Sequence, residues 1–598
     1  MKLSDYVVRF IEAQGVQHVF MVPGGGAMHL NDSLGQSTSI RWVCNLHEQA
    51  SAMAAETYAK ATGNLGVAMF TTGPGSTNAI TGLAGAWLDS TPCLFISGQV
   101  KRPDLKGKSG VRQMGVQEID IISAVRAMTK YAVLVTDPHS IRYHLEKGVY
   151  LARTGRPGPV WLDIPLDVQA ATIDETQLRA FRAPRQRRAP ADLAQRVAEV
   201  AEMLGRAERP IILAGNGVRL AGAQEAFRSL ARSLKVPVLL TWLAIDMFAH
   251  DEENLVGKPG TVAPRGVNFA LQNADFLLVI GARMDFTITG YAPERLARGA
   301  KKIMIDIDPA EIAKLAPYLD LSICCDAKAF IDALANATTG KAQPERRAWH
   351  ARCAEWKQRY PVVLPEHRVE EGPVSTYFLA ECLSDLLPEG APIVSGSSGA
   401  GIEIFQHALR LKRGQRLYHT TALGAMGYGL PAAIGACLGS GGRETVLIDG
   451  DGGIQLNIQE LATVQRLQLP IKILILNNDG YSSIRTSQQR WFGRQTGADA
   501  RSGLTLPDIG SVARAYGLAA ERIAEQRDLR AQLARILALQ GPVVCDVVSR
   551  PDEARMPSLS SAQRADGSLY SKPLEDLWPF LPRDEFYANM IVKPLEES

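Results

Sequence analysis

Short apolar runs that stop at Gly, Asp, Asn or Pro recur along this chain, separated by stretches of helical period. They include VAMFTT (67–72), CLFISG (93–98), VWLDIP (160–165), PIILAG (210–215), FLLVIGA (276–282), KIMIDID (302–308), TVLIDGDG (445–452) and KILILNN (472–478). A strand buried on both faces reads as a continuous apolar run, because neither face meets water. Such strands alternating with helices build parallel sheets covered on both sides. The expected class is therefore α/β, with doubly wound parallel sheets. The 598 residues are too many for one core,. Polar, Pro- and Arg-containing stretches around residues 172–195 and 335–349 divide the chain into blocks 1–180, 190–340 and 370–550,. The remainder, 551–598, has scattered Pro and aromatic residues and reads as a tail that wraps a surface or covers a site, with a partly disordered end as the plain alternative,.

Charge and composition exclude several classes. A formal net charge of +3 gives no basis for a nucleic-acid partner,. The start, MKLSDYVVRFIEAQG, reads as an amphipathic helix rather than a leader, and no apolar run approaches the ~20 residues needed to span a bilayer,. The eight cysteines are scattered, with no CxxC pair, so neither a zinc site nor a disulfide framework is indicated,. The expected compartment is the reducing cytoplasm.

The third block carries the most specific chemistry. Gly450-Asp451-Gly452 ends one apolar run and Asn477-Asn478 ends another, with 24 residues between. The intervening GIQLNIQELATVQRLQLP has helical period, with Ile454, Ile458, Leu461 and Val464 on one face. Strand, helix, strand with a right-handed crossover makes the strands parallel. Asp451 and Asn478 then lie at two carboxyl ends, where ligands bind in open α/β sheets. Magnesium takes hard oxygens and keeps phosphate oxygens among them. A carboxylate and an amide oxygen suit it, and Gly450, Gly452 and Gly453 leave room for a diphosphate. Two ordinary strand-end turns are the plain alternative.

The spacing GDG-x24-NN resembles the thiamine diphosphate signature of the acetolactate synthase and pyruvate oxidase superfamily. The resemblance implies that Asp451 and Asn478 bind Mg2+ together with the carbonyl of Gly480, and that Tyr481 and Ser482 stand beside the cofactor. TTALGAMGYGLPAAIGA (420–436) is similar to the family's GAMG segment, so Gly424 would line the cofactor and Met426 would hold it bent. Ser397, Ser398 and Gly399 match the other diphosphate loop. CNLHEQASAMAAETYAKATG (44–63) resembles the family's HEQ-A helix and assigns Glu48 as the carboxylate that activates thiamine diphosphate, with His47 shaping the pocket. Capping or dipole complementation is the plain reading of a glutamate at a helix start. MVPGGG, TTGPGSTN and GRPGPVWLDIP match the family's first domain and add Pro23, Gly24, Gly73 and Asn78 to the cofactor contacts. In this family the first domain of one subunit meets the third domain of another. A homodimer or homotetramer with interfacial active sites is therefore implied.

The middle block resembles the flavin-binding domain of acetolactate synthases. Gly215, Gly217, Thr241, Gly281, Arg283, Asp306 and Asp326 would line FAD, held as a structural group; the family's histidine before the GT dipeptide is here Pro259. A Gly-rich turn suits a pyrophosphate, and a strand-end Asp suits a ribose.

The family's chemistry is decarboxylation of a 2-oxo acid followed by protonation, carboligation or oxidation of what remains. Two segments depart from acetolactate synthases. Ala-Phe-Gln-Glu appears as Gly115-Val116-Gln117-Glu118, and a tryptophan position holds Ser487. Both changes enlarge the pocket. Gln117 is expected to orient substrate, and Arg485 either meets an acid group or is a surface residue. The expected reaction joins a pyruvate-derived unit to a carbonyl acceptor, a ketone or keto-sugar. The alternatives are acetolactate synthase proper, a simple decarboxylase, or a non-enzymatic homologue.

Overall fold

The computed structural model describes residues 1–185, 189–396, 399–563 and 567–595. All eight apolar runs are strands, and the described residues hold three six-stranded sheets whose pairs are parallel. The first sheet comprises β1 (His18–Met21), β2 (Arg41–Cys44), β3 (Gly66–Phe70), β4 (Cys93–Gln99), β5 (Tyr131–Leu134) and β6 (Val160–Pro165). The middle sheet comprises β7 (Pro210–Ala214), β8 (Val238–Leu240), β9 (Leu255–Gly257), β10 (Phe276–Ile280), β11 (Lys301–Asp306) and β12 (Leu321–Cys324). The third comprises β13 (Pro392–Ser395), β14 (Arg416–Tyr418), β15 (Thr445–Gly450), β16 (Ile471–Asn477), β17 (Ala519–Ile523) and β18 (Val543–Val548). The strand orders are 2-1-3-4-6-5, 12-11-10-7-8-9 and 14-13-15-16-18-17.

The first and third sheets belong to one compact unit. Its centre is a pair of helices, Glu48–Thr62 and Gly429–Gly439, that approach closely because small residues face each other. A Cβ on Gly435 would lie 2.2 Å from the Ala54 carbonyl oxygen, so only glycine permits the contact. Polar contacts also lie inside it: Thr57 and Tyr428 share a 3.0 Å hydrogen bond, and Lys60 bridges Glu56 and Asp89, each at 2.7 Å.

The middle sheet forms the other unit with residues 340–390, 403–415 and the tail. Trp349 and Trp356 of helix Arg347–Arg359 share a core with Leu213, Val279 and Phe269. The tail is tied to helix Arg265–Gln272 and its end: Asn268 donates to the Leu574 carbonyl at 2.8 Å, Gln272 to Glu575 at 2.7 Å, and Asn273 to the Asn589 carbonyl at 3.0 Å. Tail residues Leu574, Leu577 and Phe586 are buried, which rewards the wrapping with apolar area removed from water,.

The helix expected between β15 and β16 is broken. A 3₁₀ segment, Ile454–Glu460, precedes the α-helix Leu461–Leu467, and Asn457 departs from helical geometry. The buried Asn457 amide donates to the Gly427 carbonyl at 2.7 Å, a side-chain bond that a regular helix would aim elsewhere,. Among the described residues no helix is long and apolar enough to cross a membrane. None of the eight cysteines, all among the described residues, forms a disulfide, and six of them are buried.

Candidate active site

Asp451 and Asn478 follow neighbouring, hydrogen-bonded strands, since β15 pairs with β16 through Gly450–Leu476. Asp451 is buried; its Oδ1 accepts the Gly452 N–H at 2.7 Å and its Oδ2 the Gly480 N–H at 2.9 Å. Burial pushes its carboxyl up to about 6, against those backbone donors. The two asparagines are not equivalent. Asn477 donates to Asp546 at 2.9 Å, a bond inside the sheet edge. Asn478 donates to Ser482 at 3.3 Å, and its Oδ1 is buried without a partner among the described residues. An orphaned carbonyl oxygen beside a buried carboxylate is the arrangement a hard cation satisfies. No three His, Cys, Asp or Glu side chains converge among the described residues, so a metal here would draw on amide and backbone oxygens. Asp451, Asn478 and the Gly480 carbonyl are the candidates.

The turn carrying Asn478 is clamped from behind. Arg485 does not lie on the surface, and the chain itself engages its guanidinium. Its buried guanidinium donates to the Asn478, Asp479 and Pro551 carbonyls at 3.0, 3.0 and 2.6 Å and to Asp552 at 3.0 Å. The clamp holds Asp479 and Gly480 at φ of +61° and +114°. The glycines of the GDG turn serve packing that their sequence did not reveal. A Cβ on Gly452 would lie 2.2 Å from the Tyr481 ring, and one on Gly453 2.7 Å from Asp449 Oδ1. Asp449 itself was not singled out by the sequence. It is buried under Gly396 and Gly429, and burial lifts its carboxyl to about 7. Gly424 and Gly427 have positive φ, and the Gly427 N–H donates to the Gly453 carbonyl at 3.0 Å, which ties the half-buried Met426 segment to the GDG turn. Gly399, at φ +114°, has open space where a Cβ would sit; Ser397 and Ser398 lie outside the described residues.

Glu48 opens the helix after β2 and is buried. Asn78 donates to its Oε2 at 3.0 Å, and its Oε1 lies 3.3 Å from where a Gly75 Cβ would stand. His47 is the N-cap of that helix, its Nδ1 accepting the Gln49 N–H at 3.0 Å. Sequence reasoning missed Glu460. This buried carboxylate accepts Asn45 Nδ2 and the Leu46 N–H, both at 2.8 Å, and so fixes the loop ahead of Glu48 to the segment after the GDG turn. Burial raises its pKa against those donors.

Pro23 is exposed, and Gly24 lies so close to Thr71 that a Cβ would be 2.5 Å from it. Gly73, at φ +61°, packs against the Gln117 carbonyl, 2.4 Å from its missing Cβ. Gln117 holds φ +65° on an exposed loop, and the adjacent Val116 is 86% exposed. Glu118 anchors that loop by accepting the Lys106 and Met114 N–H groups at 2.6 and 2.8 Å. Ser487 is exposed on the helix Ser482–Phe492.

In the middle unit, Gly215, Gly217, Thr241, Gly281, Arg283, Asp306 and Asp326 stand at the carboxyl ends of their strands. The glycines serve each other. Gly217 donates to the Gly281 carbonyl at 3.0 Å, Gly215 to the Ile280 carbonyl at 2.9 Å, and a Cβ on Gly215 would lie 2.2 Å from Gly281 O. These N–H groups therefore do not face a pyrophosphate. Asp326 caps helix Ala327–Thr338 through the Lys328 and Ala329 N–H groups. The flavin expectation rests on Thr241, Arg283 and Asp306.

Comparison with known proteins gives three matches to family models. Residues 1–124 match the thiamine pyrophosphate enzyme N-terminal TPP binding domain, 197–334 the central domain, and 399–547 the C-terminal TPP binding domain. The chain is 33% identical over 579 residues to acetolactate synthase 2, chloroplastic, of Nicotiana tabacum, covering 94% of this chain and 84% of that protein. It is 32% identical over 587 residues to acetolactate synthase, chloroplastic, of Arabidopsis thaliana, covering 94% and 83%. It is 32% identical over 569 residues to the probable acetolactate synthase large subunit of Methanocaldococcus jannaschii, covering 93% of each.

Proposed function

The chain belongs to the thiamine diphosphate-dependent enzymes of the acetolactate synthase type, and from that premise we propose that it decarboxylates a 2-oxo acid, pyruvate in the first instance, and joins the remaining unit to a carbonyl acceptor larger than a second pyruvate. The observation that carries the site is the unpartnered, buried Oδ1 of Asn478 beside the Asp451 carboxylate. Asp451, Asn478 and the Gly480 carbonyl would hold Mg2+, and the glycines at 399 and 424 would leave room for the diphosphate. When bound, thiamine diphosphate would supply an acidic carbon as the nucleophile toward the 2-oxo acid and a cationic ring as the sink for the electron pair released with carbon dioxide.

The chain's own groups set the rest. Glu48 exchanges a proton at Oε1, while Asn78 holds Oε2 and fixes the carboxylate's rotation,. The Arg485 clamp keeps the metal-binding turn from relaxing. Gln117 orients the substrate carboxylate or carbonyl. Small side chains at Val116 and Ser487 support a roomier acceptor site. Within one chain Glu48 bonds to Asn78 rather than to the Asp451 turn, and Met28, Trp42, Leu46 and Met114 of the first block are exposed. The reading carries with it a cytoplasmic homodimer or homotetramer in which one subunit's Glu48 serves another's metal site. A flavin on the middle sheet remains a secondary proposal with a structural role, tested by the visible absorbance of the purified protein.

Incubation with pyruvate, thiamine diphosphate and Mg2+, with and without a panel of ketones and keto-sugars, tests the reading by mass spectrometry. Tertiary alcohols formed from the added ketones are the expected products. Acetolactate as the only product, whatever ketone is present, assigns the activity in its relatives' names; acetaldehyde alone assigns a decarboxylase.

A further inference from the structure

The middle unit contains a cavity of about 330 Å³ that none of Glu48, Asp451, Asn478 or the strand-end residues assigned to a flavin lines. Its lining passes from exposed His250, Pro361 and Arg368 to buried Lys258 and His407. Much of the wall between is apolar, with Phe248, Val267 and Leu411 among it.

Two polar groups in this lining have no hydrogen-bond partner among the described residues. Lys258 is 5% exposed, and its Nζ lies over the Trp242 ring with no hydrogen bond. Neither ring nitrogen of His407 is hydrogen-bonded. The other cations of the lining are committed. Lys357 donates to the His250 and Leu255 carbonyls at 2.7 and 3.1 Å, Arg368 makes two bonds to Glu381 at 2.8 and 2.9 Å, and Arg410 bonds to Asp385 at 2.8 Å. Glu403, the carboxylate that acts on Lys258, is bound to Arg555. Burial drives the Lys258 amine well below the ordinary lysine range. A buried amine without a counter-charge is unfavourable, and chains retain one where something pairs with it.

We propose that this cavity binds a monocarboxylate with an apolar body, its carboxylate paired with Lys258 and hydrogen-bonded by the His407 imidazole. One ammonium and one imidazole N–H offer donors for the two oxygens of a carboxylate. A phosphate takes more donors than this lining has free. The apolar walls suit an aliphatic chain, and binding sites of this volume hold small organic molecules. The cavity lining shares no residue with those assigned to thiamine diphosphate, and the proposal does not depend on the acceptor chosen there.

Hexanoate is the probe, with hexanamide and inorganic phosphate as controls, titrated calorimetrically into the holoenzyme. The expected result is saturable binding of hexanoate, at least tenfold weaker binding of hexanamide, and no saturable binding of phosphate. Lys258→Met removes the unpaired amine at similar volume; it should melt no lower than wild type, turn over pyruvate normally and lose hexanoate binding. Val363→Trp, which fills the cavity from another wall, should also lose it. The proposal is overturned if hexanoate does not bind, if hexanamide or phosphate binds as tightly, or if both variants bind hexanoate like the wild type.

Discussion

The first and third sheets share one strand order, 2-1-3-4-6-5 in each sheet's own count, yet their carboxyl ends are used differently. After β15 and β16 the third sheet leaves the Asp451 carboxylate to backbone donors and the Asn478 Oδ1 buried without a partner among the described residues. The equivalent ends of the first sheet, β3 and β4, close on themselves. Thr72 donates to Gln99 at 3.0 Å; Gln99 donates to Asp163 and to the Ile119 carbonyl, both at 2.9 Å; and Ser97 donates to Asp163 at 2.6 Å. The chain of bonds ends on the Gln117 carbonyl, 3.3 Å from Thr72 Oγ1, where the backbone is left-handed. Topology thus provides the same crevice twice, and side-chain satisfaction decides which one is open to a ligand. The first sheet's proposed proton-exchanging group, Glu48, stands instead at a helix start after β2.

The division of labour can be broken at each point. Glu48→Gln keeps the Asn78 contact but cannot exchange a proton, so kcat should fall by about 10²–10⁴-fold while cofactor affinity measured by calorimetry stays within twofold. Unchanged turnover would remove Glu48 from the chemistry. Glu460→Ala strands the buried Asn45 amide and Leu46 N–H and should cost about 2–3 kcal/mol in denaturant unfolding,. Gly452→Ala drives a methyl into the Tyr481 ring and should cost about 1–2 kcal/mol, less in a Tyr481→Ala background,. The last effect is a slope. Burial holds Asp163 at about 7, above the ordinary 3.8, so the folded state binds a proton there that the unfolded chain has released. Its contribution is complete below pH 3.8 and is lost as pH rises to about 7, at up to about 1.4 kcal/mol per pH unit. Asp163→Asn should flatten the fall in melting temperature over that window; an unchanged slope places the titration elsewhere.

Much of this was legible in the sequence because the signals were local. A strand buried on both faces announces itself by composition, and each of the eight apolar runs became one,. Asp451 and Asn478 were legible because both end such strands. What escaped depends on partners distant in sequence. Glu460 meets Asn45 across 415 positions, and the Asn457 break in the expected helix is set by Gly427. Arg485 read as exposed or ligand-bound, since nothing nearby in sequence shows that its guanidinium closes on the carbonyls at 478, 479 and 551. The middle-sheet glycines read as a phosphate turn, whereas Gly215, Gly217 and Gly281 lack side chains because they pack on one another.

The central claim is that the open end of the third sheet holds a metal-chelated diphosphate through one asparagine of the pair and not the other. Calorimetric titration of thiamine diphosphate into apoprotein, with and without Mg2+, tests it in wild type, Asp451→Ala, Asn478→Ala and Asn477→Ala. The account predicts Mg2+-dependent binding that is weakened at least about 10–100-fold by Asp451→Ala and Asn478→Ala, and that survives Asn477→Ala in whatever protein remains folded. Wild-type affinity in Asn478→Ala, or a loss confined to Asn477→Ala, would contradict it.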